Sequence, residues 1–208
     1  MSTSTRWRRW RNHDSDRQRS DDAALRPLAL LLRLKSLNRA RRFEECSTIG
    51  EQTLSTLTWN EGDALQLAGV HAELSVAFWA LSRDRERVLH HAWKAIELDK
   101  GQATAAEAIR SLNGAFSPTA RRMTVMVEGL WPERFDGSDD LPGFYATYEV
   151  VAEDADEALS FLRPFEPEGA RSTLAVAKCT VREAAVDEPK GVVAARRGYT
   201  FWVARRPR

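Results

Sequence analysis

The sequence predicts an α+β protein: antiparallel helical hairpins first, then a small antiparallel sheet with one helix in the order ββαβββ. Three observations carry this expectation. Up to Phe116 the apolar residues recur every three or four positions, the period of a helix with one buried face. From Met123 the period shortens to two, as in strands, and Ser117-Pro118 separates the two regimes. The expected parts are therefore an arm over residues 1–20, a helical-hairpin domain over 21–118 and a small α+β domain over 119–208.

The arm holds almost nothing a core could use and is expected to be disordered. Trp7 and Trp10 sit among Arg6, Arg8, Arg9 and Arg11, a combination suited to phosphate contacts plus base stacking. A solvated leader is the alternative. The arm is also rich in Arg and Ser, as organelle-targeting peptides are, but Asp14 and Asp16 count against that comparison.

Asp21 and Asp22 favour the positive end of a helix dipole, and Pro27 fits a first turn. Leu28, Leu31, Leu32 and Leu34 then give one apolar stripe; Phe43, Cys46, Ile49, Leu54 and Leu57 give a second helix. Trp59 to Asp63 is a turn into a helix carrying Leu65, Ala68 and His71. The stretch from His71 to Leu98 continues with Ala72, Val76, Phe78 and Trp79 on one helix. A charged break over Arg83 to Arg87 leads to Val88, Ala92, Ala95 and Ile96 on the next. Small residues let two helix axes approach closely, with Trp79 and Trp93 expected to fill the gaps. Ala103 to Phe116 is a fifth helix, stopped by Asn113-Gly114.

The aromatic Trp79 before the turn, the alanines of the following helix and the closing Ala-Ile-Glu-Leu-Asp resemble a tetratricopeptide repeat. Arg41-Arg42-Phe43-Glu44-Glu45-Cys46 resembles a second copy of its turn, at an offset longer than the family's period of about 34 residues. The departures are Ser82 and Arg83 where the family turns through glycine, Val88 for its alanine and Lys100 for its proline. The resemblance implies stacked helical hairpins that bind a protein segment; a generic helical bundle is the other reading.

In the second part, Met123 to Glu128 reads as a strand and Trp131 to Gly143 as a long loop. Phe144 to Val151 is the clearest strand, with Phe144, Ala146, Tyr148 and Val150 on one face. Asp154 and Glu157 open a helix through a capping-box pattern, and Pro164 helps to stop it. Thr173 to Val181 is a third strand, and Gly191 to Ala195 with Tyr199 to Val203 reads as a hairpin turning at Arg196-Arg197-Gly198. One helix cannot cover such a sheet, so the helical layer or a partner must, and a homodimer through the sheet is one expectation.

The sequence spells no catalytic apparatus. His71-Ala72-Glu73 resembles the H-x-E of zinc deaminases, but no P-C-x-x-C follows. His90 and His91 point about 100° apart on a helix, so one inward and one solvated ring is expected. Phosphate-cradling glycine motifs and a serine elbow are absent. Asp136, Asp139 and Asp140 lack the terminal glutamate of a calcium loop. No metal or other cofactor is expected. Cys46 and Cys179 read as single buried hydrophobes in a reducing compartment.

A formal net charge of +1 argues against a polyanion binder acting with its whole surface. No apolar run approaches the roughly 20 residues of a membrane span, so a cytoplasmic location is expected. The expectation is therefore a non-enzymatic adaptor that binds a protein partner through its hairpins and its α+β part. The alternatives are a nucleic-acid-associated protein using Arg6 to Arg11 with Arg205 and Arg206, and a bacterial immunity-type inhibitor. Tyr199, Phe201 and Trp202 could stack bases in the nucleic-acid reading, or simply pack a sheet.

Overall fold

A computed structural model of the chain describes residues 27–82, 84–135 and 140–202, and the fold is α+β. Five helices come first: α1 over residues 27–39, α2 over Phe43–Thr56, α3 over Ala64–Ala80, α4 over Arg85–Leu98 and α5 over Ala103–Asn113. Helix α1 buries Leu31, Leu34 and Leu37, so its core stripe is turned from the expected one and Leu28 and Leu32 face solvent. The missing side chains of Gly50 and Gly69 let α2 and α1 close upon α3. A Cβ on Gly50 would stand 2.6 Å from Leu74, and one on Gly69 2.7 Å from Leu31.

Helices α3 and α4 form the hairpin predicted from the small-residue stripes, burying Ala68, Ala72 and Ala77 from one side and Ala92 and Ala95 from the other. The turn between them uses Ser82 at φ 50°, a left-handed conformation that favours glycine. Asp84 then caps α4 by accepting from the Glu86 amide at 2.9 Å. Phe78, and not Trp79, fills the gap between the helices: Phe78 is 1% exposed and Trp79 41%. Neighbouring residues lie about 100° apart on a helix, so only one of the two rings can point inward.

The sheet contains β1 (Arg121–Leu130), β2 (Gly143–Ala152), β3 (Ala175–Ala184), β4 (Gly191–Ala195) and β5 (Thr200–Trp202) in the spatial order β3-β1-β2-β4, all antiparallel. The expected hairpin at Arg196-Arg197-Gly198 does not form. Strands β4 and β5 both pair with β2, Ala195 opposite Tyr148 and Thr200 opposite Tyr145, so they lie in line along one edge. The ten-residue edge of β2 offers more backbone groups than β4 can bond, and β5 takes those that remain. Between them, residues 196–199 stand opposite only Thr147 and Ala146 and bulge out, with the Arg196 amide donating to the Thr147 carbonyl at 2.9 Å.

Helix α6 (Ala155–Leu162) lies on the sheet face formed by Val125, Val127, Ala146, Tyr148 and Val150. Asp154 accepts from the Glu157 amide and Glu157 from the Glu153 amide, each at 2.8 Å, close to the reciprocal cap the sequence implied. The helical layer covers what α6 leaves bare. Helix α5 lies against β4, Arg110 bridges to Glu188 at 3.0 Å, and the Lys190 amide donates to the Ala115 carbonyl at 2.9 Å. One hydrophobic core consequently runs from Leu31 to Val192 without a break at Pro118.

The outer strand β3 is exposed, and Cys179 lies exposed on it, contrary to the buried position expected. Cys46 is buried beneath α1, and burial pushes its thiol up to about 12. Among the described residues, no helix is long and apolar enough to cross a membrane.

A candidate binding cleft at the seam

The seam between the helical layer and the sheet opens into a cleft of about 810 Å³, and four chain segments meet at or just beneath its floor. Helix α4 ends at Leu98, and Asp99 ties the next turn by accepting from the Gly101 amide and from Gln102 Nε2, both at 3.0 Å. That turn aims Lys100 into the seam, at the position where the repeat resemblance expects proline. Opposite, α6 runs into a short 3₁₀ turn over Arg163–Phe165, which delivers the buried Glu166. Tyr148 comes from the inner face of β2, and Tyr199 follows the bulge between β4 and β5.

These four side chains form one closed network. Lys100 Nζ donates to Glu166 Oε1 at 3.2 Å and stands 3.5 Å from the centre of the Tyr199 ring. The Tyr148 hydroxyl donates to Glu166 Oε1, and the Tyr199 hydroxyl to Oε2 at 2.7 Å. Burial lowers the Lys100 pKa against the opposing pull of Glu166. Both tyrosine pKa values are pushed up, first by burial and then by the Glu166 charge, so both phenols stay neutral donors. The carboxylate accepts from three donors, which is how a charge is held inside a protein.

Above the floor, Trp93, Phe165 and Trp131 offer apolar surface, and Glu97, Arg171 and Arg197 bring charge to the lining. Arg197 reaches across the seam from the bulge to Asp99, with Nε 3.2 Å from Oδ1 and Nη2 2.8 Å from Oδ2. Trp131 packs on Tyr199 with ring centroids 4.8 Å apart, and Trp93 on Phe165 at 5.4 Å. The arrangement suits holding a ligand: the buried charges are already matched, and the walls are large, rigid side chains.

The histidines lie in the helical layer. His91 is buried and His90 exposed, as their angular separation required. Across the α3–α4 interface, His71 Nδ1 and His91 Nδ1 are 2.9 Å apart, so one ring donates, the other accepts and both are neutral. Burial, reinforced by neighbouring positive charge and the other histidines, lowers His71 to about 4 and His91 to about 3. Their folded-state values thus lie below the ordinary 6.5, and the unfolded chain binds the protons first. Stability is complete above about pH 6.5 and falls as the pH drops towards 4, by up to about 1.4 kcal/mol per pH unit for each proton. Urea unfolding between pH 7.5 and 4.5 measures this. A His71→Gln/His91→Asn double variant should show the shallower slope, and equal slopes would remove the pair as the cause.

Among the described residues, no group of three or more His, Cys, Asp or Glu is placed to hold a metal ion. The nucleic-acid candidates Arg6, Trp7, Arg8, Arg9, Trp10, Arg11, Arg205 and Arg206 lie outside the described residues, as do Asp136 and Asp139. The cleft residues Lys100, Glu166, Tyr199 and Arg197, and Tyr148 buried beneath them, carry no motif. The legible signals were a lysine in place of proline at the end of α4 and a tyrosine on the inward face of β2. Compared with protein-family models, curated proteins and solved structures, the chain matches none.

Proposed function

We propose that this is a non-enzymatic binding protein, an adaptor that takes a segment of a partner protein into the cleft between its helical hairpins and its sheet. The observation that carries this reading is the 810 Å³ cleft whose floor charges already satisfy one another. Lys100 is occupied by Glu166 and an aromatic face, and both phenols are committed as donors. None of Lys100, Glu166 and the two phenols is free to act as a base or a nucleophile without first breaking the network. The remaining surface is apolar wall with charge around it, the composition of a contact site. The tetratricopeptide-like reading of the hairpins fits this use, with α4 as the rigid side of the cleft.

The test is photo-crosslinking in cells that express the chain. A benzophenone amino acid replaces Glu97 or Glu168, both of which line the cleft, or Lys178 on the outer strand as a control. The expected result is a discrete adduct with the same protein from both cleft positions and none from position 178. Indistinguishable adducts from all three positions, or none from any, would overturn the reading.

A further inference from the structure

The large cleft has a smaller neighbour. A hollow of about 180 Å³ adjoins it, and Trp93, Pro164 and Phe165 form a wall common to both. Ile109 and Val192 supply apolar surface to the smaller hollow, whose charged residues among those described are Arg110 and Lys190. Together the two hollows make a groove along the seam, between α4 and α5 on one side and α6 and β4 on the other.

The charges of the groove are unequal in how they are matched. Among the described residues, four acids line the larger hollow. Glu97 pairs with Lys94 at 2.6 Å, Asp99 with Arg197 at 2.8 Å and Glu166 with Lys100 at 3.2 Å. The fourth, Glu168, is exposed and has no cation partner among the described residues. Arg171 stands apart from the other bases. Its Nε donates to the Glu166 carbonyl at 2.9 Å and its Nη2 to the Pro164 carbonyl at 3.3 Å. Among the described residues it meets no carboxylate. A guanidinium fixed by two backbone carbonyls has already lost its rotamer freedom, and its charge is available to an incoming anion.

We infer that the groove recognises an extended segment of a partner protein that places an apolar side chain in the smaller hollow and an acidic side chain on Arg171. The inference rests on the proposed binding function and gives the partner its chemistry. The shared wall of Trp93 and Phe165 separates the two subsites, so the two anchoring residues lie a few positions apart along the segment. Glu168 opposes the acid and limits its affinity.

The probe is a phage-displayed library of random dodecapeptides, panned on the immobilised full chain and on the variants Arg171→Gln and Glu168→Gln. The parent chain should enrich peptides with Asp or Glu near a large apolar residue. Arg171→Gln should lose the acidic preference and bind the best peptide about tenfold more weakly or worse, while the apolar preference persists. Glu168→Gln, which removes an exposed side chain, should bind the same peptide more tightly, so the test does not depend on Arg171→Gln folding. Peptides enriched for apolar residues alone, or for Lys and Arg, would overturn the acidic assignment and leave the adaptor reading standing. No consensus in any arm would overturn both.

Discussion

Replacing Glu166 with Leu is expected to cost about 3–5 kcal/mol, because it strands a buried ammonium and removes the acceptor of the buried Tyr148 phenol and the half-buried Tyr199 phenol. Lys100 and Glu166 are 8% and 0% exposed at their side chains, so solvent cannot take over either charge. The double variant Lys100→Met/Glu166→Leu should recover most of that loss, since no bare charge remains. What persists is the cost of the two hydroxyls without an acceptor, about 1–3 kcal/mol. A double-mutant cycle by urea denaturation measures the coupling. Additive losses would show that the pair does not act as a unit. A stable double variant that still binds the peptides selected on the parent chain would assign the network to architecture alone.

Phe78→Ala should cost about 3–5 kcal/mol and Trp79→Ala clearly less, about 1–2 kcal/mol, although Trp79 is the larger residue. Phe78 sits 1% exposed in the core, stacks on His91 with ring centroids 5.4 Å apart, and lies beneath the Arg87 guanidinium at 4.4 Å. Its removal leaves a cavity between α3 and α4 and takes the packing from one member of the histidine pair. Trp79 keeps water on two fifths of its surface, so truncation there gives up partial burial but opens onto solvent and leaves no enclosed cavity. Thermal unfolding of the two variants would decide it, and equal losses would place Trp79 in the role the sequence alone suggested.

The fold was legible where one physical cue dominated. The change of period at Met123 separates helices from strands, and the small-residue stripes of α3 and α4 announce their close approach. Legibility failed where two cues competed. Phe78 and Trp79 are adjacent aromatics, and sequence pattern cannot say which of two rings 100° apart points inward. Arg196-Arg197-Gly198 has the composition of a hairpin turn. The turn yields because β2 has an edge left to satisfy and because Arg197 and Tyr199 find partners across the seam. The cleft floor was invisible for a related reason. Lys100, Tyr148, Glu166 and Tyr199 lie 48, 18 and 33 positions apart in successive pairs along the chain or the network, a constellation made by topology and written in no local motif.

The interrupted edge beside β2 has an evolutionary corollary. Ten residues of β2 act as a fixed rail, and the two short pieces opposite it are held in register independently of each other. Insertions or deletions within 196–199 therefore alter the cleft wall while both flanking pairings stay where they are. Under the proposed binding role, variation in what the cleft would grip can accumulate at that break without any redesign of the scaffold.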